Sequence, residues 1–344
     1  MTDDDWVREY EDGEIVPGTP YRVVRLLGVG GMGSVYEVDH IELGRRFVLK
    51  SLLRTLTSRQ DLIARMRNEW RALGQLQHPN IVDVTNAGST ITGIPYYVME
   101  LLNGETLKSR IERSGKMPLG EAVRIAVGIL RGLGAAHEIG VIHRDVKPAN
   151  VFLTRHGQVK VLDFGIAQTR IEGAPKITAQ GLAIGTPRYM SPEQAAGDKA
   201  GVGSDLYAVG LVLFEMIAGE GPFDDLSDKT QQMLAHLHRP ARPLSDMTPV
   251  PAEVEAIVRR ALNKKPEERP ASADEMADAL TPFAAPDPPV SRDGARISTP
   301  TPSGTYVGGA FPPASAGPWG QATSAGRRSS RPPPPPSRPP PASL

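Results

Sequence analysis

Residues 141 to 154, VIHRDVKPANVFLT, and the run VKVLDFG that begins at Val159 decide how this chain is read. Asp145, Lys147 and Asn150 crowd one loop. An apolar helical pattern leads into that loop and an apolar strand pattern leads out of it. Asp163 closes a second apolar strand. A carboxylate and a carbonyl oxygen, from Asp163 and Asn150, suit a hard cation such as Mg²⁺. Asp145 can orient a hydroxyl group, and lysines at 50 and 147 can neutralise phosphate charge. Phosphoryl transfer asks for this equipment, because positioning and electrostatics do most of its catalysis.

Upstream lies LLGVGGMGSVYEV, residues 27 to 39, with four glycines at 28, 30, 31 and 33. The spacing Gly28, Gly30, Gly33 satisfies G-x-G-x-x-G, which alone does not choose among a dinucleotide site, a nucleoside triphosphate cradle and a hairpin turn. A dinucleotide fingerprint needs its third glycine to open a helix. Here SVYEV follows, β-branched and alternating, so the glycines form the tip of a hairpin. A bare turn needs one or two glycines, and the excess leaves room for backbone N–H groups to approach a phosphate. In RRFVLK, alternation puts Val48 and Lys50 on one face and Phe47 and Leu49 on the other. On the next helical pattern Leu62, Met66, Glu69, Leu73 and Leu76 form a core-facing stripe with a carboxylate at its centre. Glu69 either reaches water at the stripe's edge or meets an inward-facing Lys50, since a buried carboxylate needs a partner.

The ordered set Gly28, Gly30, Gly33, Val35, then FVLK with Lys50, Glu69, HRDVKPAN, DFG and SPE resembles the eukaryotic-type protein kinase family. The likeness covers residues 21 to 281. Within the family it looks most like the bacterial eukaryotic-like (Hanks-type) serine/threonine kinases. The resemblance implies an α+β, bilobal protein-kinase-like fold, with a small β-rich N-lobe carrying one helix and a larger, mostly helical C-lobe. It implies ATP-dependent transfer of the γ-phosphate to Ser/Thr hydroxyls of proteins, the chain itself among them, in signal transduction. Such an enzyme is a non-specific serine/threonine protein kinase using Mg²⁺, or Mn²⁺ in its place.

Residue by residue, the resemblance implies that Leu27, Gly28, Val29, Gly30, Gly31, Met32, Gly33, Ser34 and Val35 cover the ATP phosphates. Lys50 contacts the α- and β-phosphates and pairs with Glu69. Met99 is the gatekeeper, and the backbone at Glu100 and Leu102 bonds adenine. Asp145 is the catalytic base, Lys147 steadies the γ-phosphate, and Asn150 and Asp163 hold the metal. His143, Phe164 and Leu73 belong to an apolar spine, so His143 is a packed structural residue. Glu193 and Arg269 form the ion pair that anchors the activation segment, and Asp205 holds the catalytic loop by its backbone. Val48 and Phe152 are larger than the family's usual choices around adenine. Lys147 and GTPRYMSPE favour Ser/Thr over Tyr as acceptor, with Thr186 near Asp145. Arg144 is the partner of a phosphorylated activation-segment residue, for which Thr178 is the first candidate. The contrasting expectation is a catalytically silent nucleotide-binding scaffold displaying a proline-rich tail, but Lys50, Asp145 and Asp163 are all present.

The chain has 344 residues and a formal net charge of zero, so no polyanion partner such as a nucleic acid is expected. It has no cysteine, which excludes disulfides, thiolate metal sites and a cysteine nucleophile. Residues 1–20 read as a polar, acidic N-terminal extension without a signal peptide. Residues 21–281 read as the kinase domain, with an N-lobe over about 21–101 and a C-lobe over about 102–281. Helices are expected at 119–139, 204–218, about 227–237, 252–263 and 272–281. The apolar run YAVGLVLFEMIAG is too short to span a membrane and reads as a buried helix. Residues 282–344 hold about half of the 33 prolines and read as a disordered Pro/Ser/Arg-rich tail. A cytoplasmic protein is expected, with self-association only as autophosphorylation requires it.

Overall fold

The computed structural model describes residues 9–30, 33–52, 60–164 and 187–286. Gly31, Met32, Thr178 and Thr186 lie outside the described residues, as does the tail from residue 287 onward. Five strands form the N-lobe sheet: β1 (Tyr21–Gly30), β2 (Gly33–His40), β3 (Arg45–Leu52), β4 (Val84–Ser89) and β5 (Pro95–Glu100), in the order β1-β2-β3-β5-β4. Every neighbouring pair is antiparallel. Helix α1 (Gln60–Gln75) connects β3 to β4. Alternation along β3 works as the sequence suggests. Val48 joins a core shared with Met66, Trp70 and Leu73 of α1, while Phe47 and Leu49 join a second cluster on the sheet's other face.

That second cluster contains a correction. Residues 9–20 were expected as a polar lead-in, yet Tyr10 and Val16 are buried in it beside Tyr36 and Phe47. The Tyr36 hydroxyl accepts from the Glu9 and Tyr10 amides at 2.8 and 3.3 Å, and Ser51 Oγ donates to the Glu9 carboxylate at 3.0 Å. The acidic count hid two apolar anchors spaced to reach one sheet face. Burying Val16 alone is worth about 1.5–3 kcal/mol.

In the C-lobe, β6 (Gly104–Thr106), β7 (Val151–Thr154) and β8 (Val159–Val161) make a three-stranded sheet. Helices α2 (Leu107–Ser114), α3 (Leu119–Glu138), α4 (Pro192–Ala196), α5 (Val202–Ala218), α6 (Lys229–His238), α7 (Ala252–Ala261) and α8 (Ala273–Leu280) complete the lobe. Helix α5 is buried from Ser204 to Ala218, the signature of an all-round apolar helix at a core's centre. It packs on α3 and α7, and α3 also packs on α8. Short β6, α2 and α4 were not foreseen. Helix α2 is capped by Thr106 Oγ1, which accepts from the Ser109 amide, and α4 by a Ser191–Gln194 capping box. In the β-rich run NIVDVTNAGST, residues 80–90, the strand begins only at Val84, because Ile81 bridges Val161 of β8 instead. Residues 282–286, expected as tail, belong with the domain: Ala285 N donates to Gly120 O at 2.8 Å, and Phe283 packs on the core. Among the described residues no helix is long and apolar enough to cross a membrane.

Candidate active site

The loop 143–150 is tied from several sides. The Asp205 carboxylate, at the start of α5, accepts from the His143 amide at 2.9 Å and the Arg144 amide at 2.8 Å. It also meets His137 Nε2 at 2.8 Å. Gln194 Nε2 donates to the Arg144 carbonyl at 2.8 Å, so this peptide is held at both ends. His143 is wholly buried. Its Nε2 meets Leu162 O at 2.8 Å, its Nδ1 accepts from the Asp145 amide, and its ring packs 4.6 Å from Phe164. Leu73 lies in the same core as Phe164. Among the described residues only Arg144 (φ 66°) and Asp163 (φ 47°) are non-glycine residues with left-handed backbone. Both stand where the sequence places chemistry, and such conformations persist only when the surroundings enforce them.

Around the reacting position, Lys147 Nζ donates to Asp145 Oδ2 at 2.7 Å and Asn150 Nδ2 donates to the same oxygen at 3.1 Å. Asn150 Nδ2 also reaches Asp145 O at 2.8 Å, which leaves the amide oxygen of Asn150 as the atom suited to a cation. Asp163 Oδ1 receives Lys50 Nζ at 2.9 Å and the Tyr97 hydroxyl at 2.7 Å. Tyr97 was not foreseen. It is an apolar-strand tyrosine whose hydroxyl needs a partner once the ring is buried.

The pairing expected between Lys50 and Glu69 is not the one the structure holds. Lys50 pairs with Asp163, and Glu69 Oε1 meets Arg144 Nη1 at 3.2 Å. Glu69 Oε2 is buried with no hydrogen-bond partner among the described residues. Burial pushes the Glu69 carboxyl up, against the opposing pull of Arg144. The sequence rule that a buried carboxylate needs a cation holds, but two cations and two carboxylates close together admit more than one matching.

Of the glycines, Gly33 (φ 158°) faces backbone rather than open space: a Cβ there would lie 1.9 Å from Ser51 O. Its conformation and this close approach alone require glycine. Gly28 sits at a register shift opposite Val35, and Gly30 pairs with Gly33 at the hairpin's end. Leu27, Val35, Val48, Met99 and Phe152 are all buried in one shared core. Ser34 is buried, and Glu100 and Leu102 stand where β5 gives way to the second lobe.

Below the cleft, Arg269 and Glu193 meet fork to fork at 2.8 and 2.8 Å. Arg269 also donates to the Asn263, Gly203 and Lys264 carbonyls, and Ser204 Oγ donates to Glu193 at 2.6 Å. Burial raises the Glu193 carboxyl, but the Arg269 and Ser204 hydrogen bonds outweigh it and its pKa lies below the ordinary value. Nearby, Arg188 bridges Asp224 and Glu215 at 2.5 and 2.9 Å, and the Tyr189 hydroxyl donates to Glu215 at 2.7 Å.

This two-lobed fold, with its cleft and tethered loop, matches known proteins along most of its length. The protein kinase domain family matches residues 21–280, and the chain belongs to that family. The chain is 38% identical over 319 residues to the serine/threonine-protein kinase PksC of Streptomyces coelicolor, an alignment covering 89% of this chain and 56% of PksC. It is 39% identical over 264 residues to PknA of Mycobacterium tuberculosis, covering 76% of this chain and 60% of PknA. The chain thus spans roughly half the length of such relatives. The crystal structure of the Mycobacterium tuberculosis PknI kinase domain superposes with a TM-score of 0.64 at 28% identity, covering 80% of this chain and all of that one. These likenesses place the chain among the bacterial Hanks-type serine/threonine kinases.

Proposed function

We propose that the chain is an active protein kinase that moves the γ-phosphate of ATP to Ser and Thr hydroxyls of proteins, of the general protein-serine/threonine kinase class. The observation that carries this reading is the state of Asp145. Its loop is held by Asp205 and Gln194, and its carboxylate is oriented by Lys147 and Asn150. An oriented carboxylate can take the proton of an incoming hydroxyl as the oxygen attacks phosphorus. Lys147, beside it, neutralises charge on the transferred group. Lys50, at the inner end of β3, reaches the other phosphates.

The donor set of Asp163 and Asn150 fits Mg²⁺. That ion takes hard oxygen ligands and is held by one or two protein groups plus the phosphates of its nucleotide. When bound, it shields the negative charge of the phosphate oxygens. Before nucleotide arrives, Lys50 supplies that countercharge to Asp163. In the ATP-loaded site Lys50 turns to the phosphates and to Glu69, which must leave Arg144. A phosphate on Thr178 of the activation segment would release it, since phosphate offers Arg144 several charge-assisted acceptors. Autophosphorylation then brings two copies together, in the cytoplasm.

The test incubates the chain with labelled ATP and Mg²⁺ beside Asp145→Asn and Lys50→Met. Label on the chain itself or on a generic basic protein, lost in both variants, supports the reading. ATP binding with no transfer by the wild type would make the chain a nucleotide-binding scaffold. Full activity of Thr178→Ala would sink the phosphorylation step.

A further inference from the structure

Lys160 is charged and nearly buried, with its side chain 8% exposed, and the reaction just described makes no use of it. It stands on β8, three residues ahead of Asp163, and its side chain leaves the C-lobe sheet toward the join between the lobes. Its ammonium donates to Glu100 Oε1 at 2.8 Å and to Ile81 O at 3.0 Å. Desolvating an ammonium is costly unless its donors are spent well, so a lysine kept here has to hold something in place.

Both acceptors lie at the joint. Glu100 is the last residue of β5. Its Oε1 also accepts from the Asp83 amide at 3.0 Å, and its own amide donates to Asp83 O at 3.0 Å. Ile81 belongs to the segment between α1 and β4, which is laced to β8 by main-chain bonds: Val161 N to Asn80 O at 2.8 Å and Val82 N to Val161 O at 3.1 Å. Asn80 Nδ2 adds a bond to Val159 O at 2.9 Å, and Gln158 Nε2 one to Pro79 O at 2.9 Å. Segment 79–82 is therefore fixed to β8 by several bonds. Glu100 reaches that block through its side chain to Lys160 and through the reciprocal bond with Asp83.

We infer that Lys160 is a positioning residue for the nucleotide: it fixes the Glu100 peptide, and with it the backbone groups that meet the adenine, relative to the strand that carries Asp163. This rests on the kinase reading. Without Lys160 the Glu100 side chain, 30% exposed, turns to solvent, and the base end of the cleft loses its register with the phosphate end. The acid–base group and its tethers are untouched, so the chemical step keeps its rate once nucleotide is bound.

The experiment measures the dissociation constant of a fluorescent ATP analogue with Mg²⁺, and separately kcat and KM for ATP, in Lys160→Met, Lys160→Arg and Glu100→Gln, with thermal unfolding alongside. Lys160→Met should weaken nucleotide binding and raise KM by about tenfold, the worth of one charge-assisted hydrogen bond, with kcat within about twofold. Glu100→Gln, which keeps the acceptor but removes the charge, should weaken binding by about threefold, and Lys160→Arg should recover most of the loss. A lower melting temperature with unchanged nucleotide affinity in both Lys160→Met and Glu100→Gln would reduce the lysine to a structural brace and overturn the inference. So would a fall in kcat at unchanged affinity. If Lys160→Met does not fold, Glu100→Gln decides by the same two readouts. A wild type that binds no ATP would fail the kinase reading itself, a result distinct from wild-type binding that survives loss of Lys160.

Discussion

Two Arg–Glu pairs lie on either side of the catalytic loop, and they differ in nearly every physical respect. Glu193 and Arg269 meet with both oxygens and both terminal nitrogens, the arginine side chain is fully buried, and its remaining donors reach three carbonyls. Glu69 and Arg144 touch through one oxygen and one nitrogen, both side chains are about one-fifth exposed, and the second Glu69 oxygen is left over. The first pair has no better partner to leave for. On the proposed function the second does: Lys50 for Glu69, and a phosphate for Arg144. A pair that satisfies every donor makes an anchor, whereas a pair that leaves one atom unpaired makes a joint that can be exchanged. The C-lobe side of the site is therefore set in advance, and on the proposed function nucleotide and phosphate complete its N-lobe side.

The most severe way to break the preset side is at its reacting group. Asp145→Asn should lower kcat by at least about 100-fold while a fluorescent ATP analogue still binds; an equal loss of binding would show that the loop, and not only the base, had collapsed. Removing the anchor tests stability instead. Arg269→Met leaves Glu193 buried without its cation and should cost about 3–5 kcal/mol, read by urea denaturation. The exchangeable pair should behave in the opposite way. Glu69→Gln should change unfolding free energy by less than about 1 kcal/mol, as for a partly exposed pair, yet lower phosphotransfer by about tenfold through the lost bond to Lys50. Similar stability losses in Glu69→Gln and Arg269→Met would erase the contrast.

The smallest effect concerns acid. His236 is buried against Tyr207 and Phe223, and burial, with Lys264 nearby, lowers its pKa from 6.5 to about 3. The unfolded chain therefore binds a proton that the folded chain refuses between about pH 3 and 6.5, and stability falls as pH falls through that window. From pH 7 to pH 6 the loss from this residue is about 0.7 kcal/mol. Urea curves at the two pH values should show it, and His236→Gln should remove it.

The sequence made the anchor legible and the joint only half so. Glu193 and Arg269 each have a single sensible partner once the motifs are aligned, so residue type and order were enough. Lys50, Glu69, Arg144 and Asp163 put two cations against two carboxylates. Their matching depends on the setting of α1 and on what else fills the cleft, which no local pattern encodes. Tyr97 and Lys160 were missed because each looks like an ordinary strand residue until the opposite lobe is in place. Residues 9–16 were misjudged for a related reason. Tyr10 and Val16 are too few to register as an apolar segment, and their burial depends on a sheet face formed later in the chain.

The contrast between anchor and joint is tested most directly by a crystal structure of the chain with Mg²⁺ and a non-hydrolysable ATP analogue. Lys50 Nζ should then lie within salt-bridge distance of Glu69, with Arg144 released and the Glu193–Arg269 fork unchanged. Nucleotide bound with Lys50 still on Asp163 and Glu69 still on Arg144 would contradict it.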